Sequence, residues 1–219
     1  MERQEWLKEK RRLTEERMNT LFAPVYDEDW GASISPTHGD CLHKFLAQCP
    51  ARCTILDAAC GTGKYWPLIL ASGRSVLGLD QSLEMLNRAR AKFPDTPTQK
   101  QALQEISDQC MFDGIVCIDA MEYVPPEDWP LVLGNFHRAL KPGGFLYVTV
   151  ELADADEVQA DFEMGRQMGL PLVHGESAHE DGYHYYPSID RVRNWLSEVK
   201  FALLDERVGD DYHHFLVRR

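Results

Sequence analysis

Residues 2–22 are mostly charged, with sparse apolar positions at Trp6, Leu7, Leu13, Met18, Leu21 and Phe22. That spacing predicts a helix with a narrow apolar stripe, which must dock on another surface to be stable. Pro24 ends it, Tyr26 to Gly39 reads as a turn-rich connector, and a short helix is expected from about Asp40 to Gln48. From Cys53 the pattern changes. Cys53–Asp57 and Ser75–Asp80 are apolar runs that end in an acid, and Asp113–Asp119 and Phe145–Val150 are further buried-type strands. Between them lie helical stretches over 64–72, from the Ser82 N-cap through Phe93, and from Pro126-Glu127-Asp128 to the Lys141-Pro142-Gly143-Gly144 stop. Strands alternating with helices of this length predict an α/β fold with a parallel sheet covered on both faces. The alternation lapses over 152–187, an acidic stretch that becomes rich in His and Tyr. Ser188–Val199 resumes as a helix. Phe201–Glu206 and Tyr212–Arg218 then read as two strands whose short turn at Gly209-Asp210 requires antiparallel pairing or separation.

With 219 residues, 44% of them hydrophobic, the chain has material for one core, or one core with an appendage. A formal net charge of −12 argues against binding a nucleic-acid backbone or an anionic lipid surface. No run approaches the ~20 apolar residues of a membrane span. The first residues lack the apolar core of a secretory signal, which argues against export. None of the six cysteines forms a C-x-x-C pair; Cys53, Cys60 and Cys117 read as small buried thiols. A reducing cytoplasm is the expected location.

The strongest chemical signal is the turn Ala58-Ala59-Cys60-Gly61-Thr62-Gly63-Lys64, set between a strand and a helix. Ligands of open α/β sheets bind at such carboxyl ends. A Walker loop fails here, because Ala58 and Tyr65 stand where it needs glycine and Ser or Thr. A dinucleotide loop fails at its third glycine, which is Trp66. Asp80 ends the next strand, where a carboxylate can accept from both hydroxyls of a ribose. A nucleoside-containing ligand without a pyrophosphate therefore fits better than NAD.

Ile55-Leu56-Asp57-Ala58-Ala59-Cys60-Gly61-Thr62-Gly63 resembles the first motif of the class I S-adenosylmethionine-dependent methyltransferases. Val76–Ser82 with Glu84-Met85-Leu86 resembles their second, and Phe112–Val116 and Arg138–Leu146 their later core motifs. The resemblance covers roughly residues 50–151, plus a compatible C-terminal strand pair. It implies a Rossmann-like seven-stranded, mostly parallel sheet with one antiparallel strand and helices on both faces. It also implies a lid at residues 1–49 and a core at 50–219 whose 152–187 insertion builds the acceptor pocket. The implied cofactor is S-adenosylmethionine, leaving as S-adenosylhomocysteine. By position, Ala58, Gly61 and Gly63 belong to the loop beneath its methionine part and Asp80 to its ribose. Asp57 would orient the turn or reach the amino group through water, and Tyr26 would touch the carboxylate. Gln81 and Met85 would flank the adenine, with Ala102 and Leu103 at its edge; Gln101 stands where many relatives carry an acid.

In-line displacement at a sulfonium methyl needs mainly positioning, which can supply ~7–11 kcal/mol. A general base is needed only for an acceptor protonated at neutral pH. The strand end Ile118–Val124 faces the expected site, and a short helical turn would bring Asp119 and Glu122 to one side, on the cofactor or the acceptor. Some relatives read E-x-x-E-H here. Tyr123 replaces the histidine, so a metal site loses a ligand and no metal is expected. Of His174, His179 and His184, which do not match a helical metal face, one is expected to serve as a base. The catalytic candidates are Glu122, Tyr123 and His184. Aromatic rings among acids suit an amine-bearing acceptor, although the six acids from Glu151 to Glu163 read more simply as a solvated helix face. His213 and His214 point to opposite sides of a strand. The expected activity is methyl transfer to O or N of a small molecule by a monomer or homodimer. A peptide or protein methyltransferase and a non-catalytic cofactor-binding regulator stay open.

Overall fold

The computed structural model describes residues 2–31, 33–178 and 182–219. Seven strands form one sheet: β1 (Thr54–Ala58), β2 (Ser75–Asp80), β3 (Thr98–Lys100), β4 (Phe112–Cys117), β5 (Leu140–Glu151), β8 (Ala202–Gly209) and β9 (Tyr212–Arg218). Their order is β3-β2-β1-β4-β5-β9-β8. The first five are parallel, and β9 runs antiparallel to both of its neighbours. The expected single reversed strand is therefore β9, inserted between β5 and β8.

Side-chain alternation along the strands builds two cores. Leu56, Ile115, Cys117, Leu146, Val148, Phe215 and Val217 face one side of the sheet, against α6 (Trp129–Ala139) and α8 (Ile189–Glu198). The neighbouring positions Ile55, Val76, Val116, Tyr147 and Leu216 face the other side, against α3 (Pro36–Gln48), α4 (Trp66–Ala71) and α5 (Leu83–Lys92). Near-continuous burial along β1 and β4 is what a parallel sheet covered on both faces requires. Trp129 and Trp195 stack at 5.2 Å and tie α6 to α8.

Several boundaries differ from the sequence expectation. The helix before β1 starts at Pro36, earlier than Asp40, because proline suits the first helical turn. Pro126-Glu127-Asp128 does not open a helix: α6 starts at Trp129, and Pro130 takes the early position. β5 begins at Leu140 and runs through Lys141–Gly144, so the expected helix stop is already strand. The N-terminal helix α1 (Arg3–Arg17) passes into a π-helical turn, Met18–Phe22, before a short α2 (Tyr26–Asp29). The 152–187 stretch holds α7 (Ala155–Gln167) and a small antiparallel pair, β6 (Glu176–Ser177) with β7 (His184–Tyr185). His179 lies outside the described residues. Cys41, Cys49, Cys53, Cys60 and Cys117 are buried and Cys110 is exposed; all are free thiols. Among the described residues, no helix is long and apolar enough to cross a membrane.

Candidate active site

At the carboxyl ends of β1, β2 and β4 the chain opens a crevice of about 660 Å³. One end is built by the glycine turn. Asp57 and Ala58 end β1, and the backbone then turns through Ala59 at φ +64 and Gly61 at φ +52. A methyl added at Gly61 would stand in open space, so at this point the backbone itself forms the crevice floor. Asp80, at the end of β2, is 8% exposed. Its Oδ2 accepts from the Gly61 N–H and its Oδ1 from the Ser82 N–H, both at 2.8 Å. These bonds fix the carboxylate and leave lone pairs for a ligand. Burial raises its pKa against the backbone bonds from Ser82, Gly61 and Gln81.

Trp66 explains why no third glycine is needed. The indole is fully buried, and its Nε1–H donates to Asp57 Oδ2 at 2.7 Å. A Cβ at Gly78 would lie 2.3 Å from the Trp66 ring, and one at Gly63 would lie 2.8 Å from it. The space that a dinucleotide fold closes between helix and strand is here filled by the indole. Asp57 has its pKa pushed up to about 7 by burial, with Asp80 adding to the rise and the Trp66 bond opposing it.

The other end lies beyond β4. Asp119 holds a left-handed backbone at φ +53, a conformation that Asp tolerates better than most residues. Its Oδ2 accepts from the Tyr65 hydroxyl at 3.0 Å, its Oδ1 lies 2.9 Å from His38 Nε2, and its N–H donates to Thr149 Oγ1 at 2.8 Å. A single 3₁₀ turn, Met121–Tyr123, then brings Glu122 into the crevice, 4% exposed. Tyr123 meets His184 edge-on at 4.9 Å, and His184 Nδ1 lies 2.8 Å from the Tyr186 hydroxyl and 3.5 Å from Glu151 Oε2.

Twelve of the residues singled out from the sequence line this one crevice: Tyr26, Asp57, Gly61, Asp80, Gln81, Met85, Ala102, Leu103, Asp119, Glu122, Tyr123 and His184. Ala58 and Gly63 do not line it: Ala58 is fully buried in β1, and Gly63 packs on Trp66. Gln101 lines it with its amide nitrogen bonded to the Glu105 carbonyl. Asp161 also lines it and accepts from Ser177, so α7 presents more than a solvated face. Sequence reasoning missed Tyr65, Tyr212, Met18 and Phe22 as lining residues, and His38 as the partner of Asp119. Only Tyr65 carried a local signal, its place directly after the glycine turn.

The N-terminal segment crosses the crevice and is tied to the core along its length. Arg3 pairs with Glu176 at 2.7 Å and with Glu127, and Trp6 is buried edge-on against Tyr183. The π turn places Met18 and Phe22 in the crevice wall and Asn19 on the N-terminus of α5, where its Oδ1 accepts from Ser82 Oγ at 2.7 Å. Asp27 accepts from Thr62 Oγ1 and from Lys92 Nζ, both at 2.6 Å.

An α/β sheet with strand order 3-2-1-4-5-9-8, an acid on the second strand end and a glycine turn after the first together form a crevice suited to a nucleoside-containing ligand. The family model described as a methyltransferase domain matches residues 55–144. A Bacillus subtilis protein named only provisionally as a methyltransferase is 32% identical over 136 residues, 59% of this chain and 53% of that protein. The chain spans about half the length of most curated relatives it matches. A solved S-adenosylmethionine-dependent methyltransferase of Methanosarcina mazei superposes with TM-score 0.71 at 17% identity, over 85% of this chain and 98% of that one. The 1,6-didemethyltoxoflavin-N1-methyltransferase of Burkholderia thailandensis does so at 0.70 and 16% identity, over 100% and 91%. Residues 55–144 thus carry a methyltransferase domain, and the chain has the fold of the S-adenosylmethionine-dependent methyltransferases, some of which were solved with S-adenosylmethionine or S-adenosylhomocysteine bound.

Proposed function

We propose that the protein catalyses methyl transfer from S-adenosylmethionine to an oxygen or nitrogen of a small-molecule acceptor. One observation carries this reading. The crevice is continuous from Asp80, Met85 and Leu103 at one end to Glu122, His184 and Tyr186 at the other, so it has room for cofactor and acceptor together. The residues present fit the cofactor. Gly61 offers floor without a Cβ, and Asp80 offers unused lone pairs at the place a ribose would occupy.

When bound, S-adenosylmethionine supplies a methyl group already activated on a sulfonium. The chain's own residues then bind, orient and exclude water. Asp80 holds the ribose; Gln81, Met85, Ala102 and Leu103 enclose the adenine; Tyr26 and Asp57 face the methionine end. Asp119, clamped by Tyr65 and His38, lines the same crevice. Glu122, Tyr123 and His184 hold the acceptor, and Glu122 takes its proton where the acceptor carries one. Residues 1–49 act as a lid over both ligands, and 152–187 close the acceptor side within a single domain. A Burkholderia relative of the same fold was solved with 1,6-didemethyltoxoflavin and S-adenosylhomocysteine bound, which supports a small-molecule acceptor. The test is incubation with methyl-labelled S-adenosylmethionine and a cell extract, followed by separation by size. Label in the small-molecule fraction is expected; label confined to protein contradicts the reading.

A further inference from the structure

At the acceptor end of the crevice three acids, Glu122, Glu151 and Asp119, lie near one another without an Arg or Lys partner among the described residues; only the imidazoles of His184 and His38 approach Glu151 and Asp119. Glu122 is 4% exposed, and its Oε2 has no hydrogen-bond partner among the described residues. An ionised carboxylate buried in this way is costly. Its charged neighbours are acids too: burial first, then Glu151 and Asp119, push Glu122 well above the usual carboxylate range. Of the other basic side chains that line the crevice, none pairs with Glu122, Glu151 or Asp119 among the described residues. Arg11 pairs with Asp128 at 2.7 Å, Arg17 lies over the Phe22 ring, and Lys64 lies over the Tyr65 ring. Around Glu122 the walls are rings: Tyr123, His184, Tyr186, Tyr26 and Tyr212.

Resting on the methyl-transfer reading above, we infer that the acceptor is an amine that enters as an ammonium ion, held by the orphan oxygen of Glu122, attracted by the nearby Glu151 behind it, and flanked by the rings of Tyr123 and Tyr186. An ammonium group brings charge and N–H donors and no acceptor, which is what the unpartnered Oε2 lacks. Tyrosine faces add cation–π attraction. An alcohol or phenol brings one donor and no charge, and a carboxylate adds a like charge. Glu122 then has a second use. The ammonium N–H bond breaks, its electron pair stays on nitrogen as the lone pair, and the proton passes to the Glu122 carboxylate. The freed nitrogen forms its bond to the methyl carbon as the carbon–sulfur bond breaks with its pair left on sulfur. The N-methylated product leaves as an ammonium ion, and the Glu122 proton goes to solvent.

The test is calorimetry on the full chain saturated with S-adenosylhomocysteine, titrated with phenethylamine against 2-phenylethanol and with putrescine against 1,4-butanediol. At least one amine should bind about 10- to 100-fold tighter than its alcohol, the worth of a charge-assisted hydrogen bond. Glu122→Gln should remove most of that preference, and Glu151→Gln part of it, with S-adenosylhomocysteine still bound as proof of folding. Equal binding of amine and alcohol, no binding of either amine, or an undiminished preference in Glu122→Gln overturns the inference alone. Failure of the unmodified chain to bind S-adenosylhomocysteine overturns it together with the methyl-transfer reading.

Discussion

Replacing Asp80 tests the cofactor end of the crevice most sharply, because both of its oxygens already work. Oδ2 takes the Gly61 N–H and Oδ1 the Ser82 N–H, so the ribose hydroxyls must use the remaining lone pairs of a carboxylate held rigid from behind. A hydrogen bond to a charged group contributes ~1.5–3 kcal/mol, and two ribose hydroxyls together at least about 3 kcal/mol. Asp80→Ala should therefore weaken S-adenosylhomocysteine binding by about 100-fold or more. Asp80→Asn is not a mild change. Its NH₂ group must face one of the two backbone donors, leaving a buried N–H unsatisfied at ~1–3 kcal/mol. The Asn variant should lose stability as well as affinity, whereas a merely solvated acid would lose neither. Calorimetric Kd values, with thermal midpoints as the control for folding, decide the matter. A folded Asp80→Ala protein that binds within twofold of the parent refutes the reasoning.

Three further outcomes follow from the packing and electrostatics. Gly78→Ala would set a methyl 2.3 Å from the fully buried Trp66 ring, so overpacking of ~1–3 kcal/mol should lower the urea midpoint; an unchanged midpoint contradicts the account. Asp57, with its folded pKa raised to about 7, keeps its proton in the folded state where the unfolded chain has lost it. Stability from this group is thus highest below the unfolded value of ~3.9, falls as pH rises to the folded value, and is level above it. Asp57→Asn keeps an oxygen for the Trp66 N–H and should flatten that slope in denaturation measured from about pH 4 to about pH 8; a slope equal to the parent's contradicts the assignment. Trp6→Ala should release α1 from Tyr183, speeding hydrogen exchange over 3–17 and weakening S-adenosylhomocysteine binding while the sheet stays protected; slow exchange in α1 would argue against the lid.

What was legible in the sequence follows from how local each feature is. β1, β2, β4 and β5 announce themselves because a parallel strand buried on both faces must be almost wholly apolar. The acids that end β1 and β2, and the glycines between, are read directly because the turn that uses them is contiguous. Trp66 illustrates the limit. Its size excluded the dinucleotide loop, but nothing local shows that Gly78, on the next strand, makes room for the ring. The clamp on Asp119 was invisible for the same reason: Tyr65, His38 and Thr149 come from three separate parts of the chain. The π turn at Met18–Phe22 leaves no mark in hydrophobic periodicity over so few residues. The Pro126–Asp128 expectation failed because Trp129-Pro130 offers a second proline start a few residues on, and burial of Trp129 selects it.

The most direct test is a crystal structure of the protein grown with S-adenosylhomocysteine. Density should show both ribose hydroxyls at ~3 Å from Asp80, the adenine between Met85 and Leu103, and the thioether sulfur pointing toward Asp119 and Glu122. A crevice without the nucleoside at saturating concentration, or a ribose placed away from Asp80, would contradict the account.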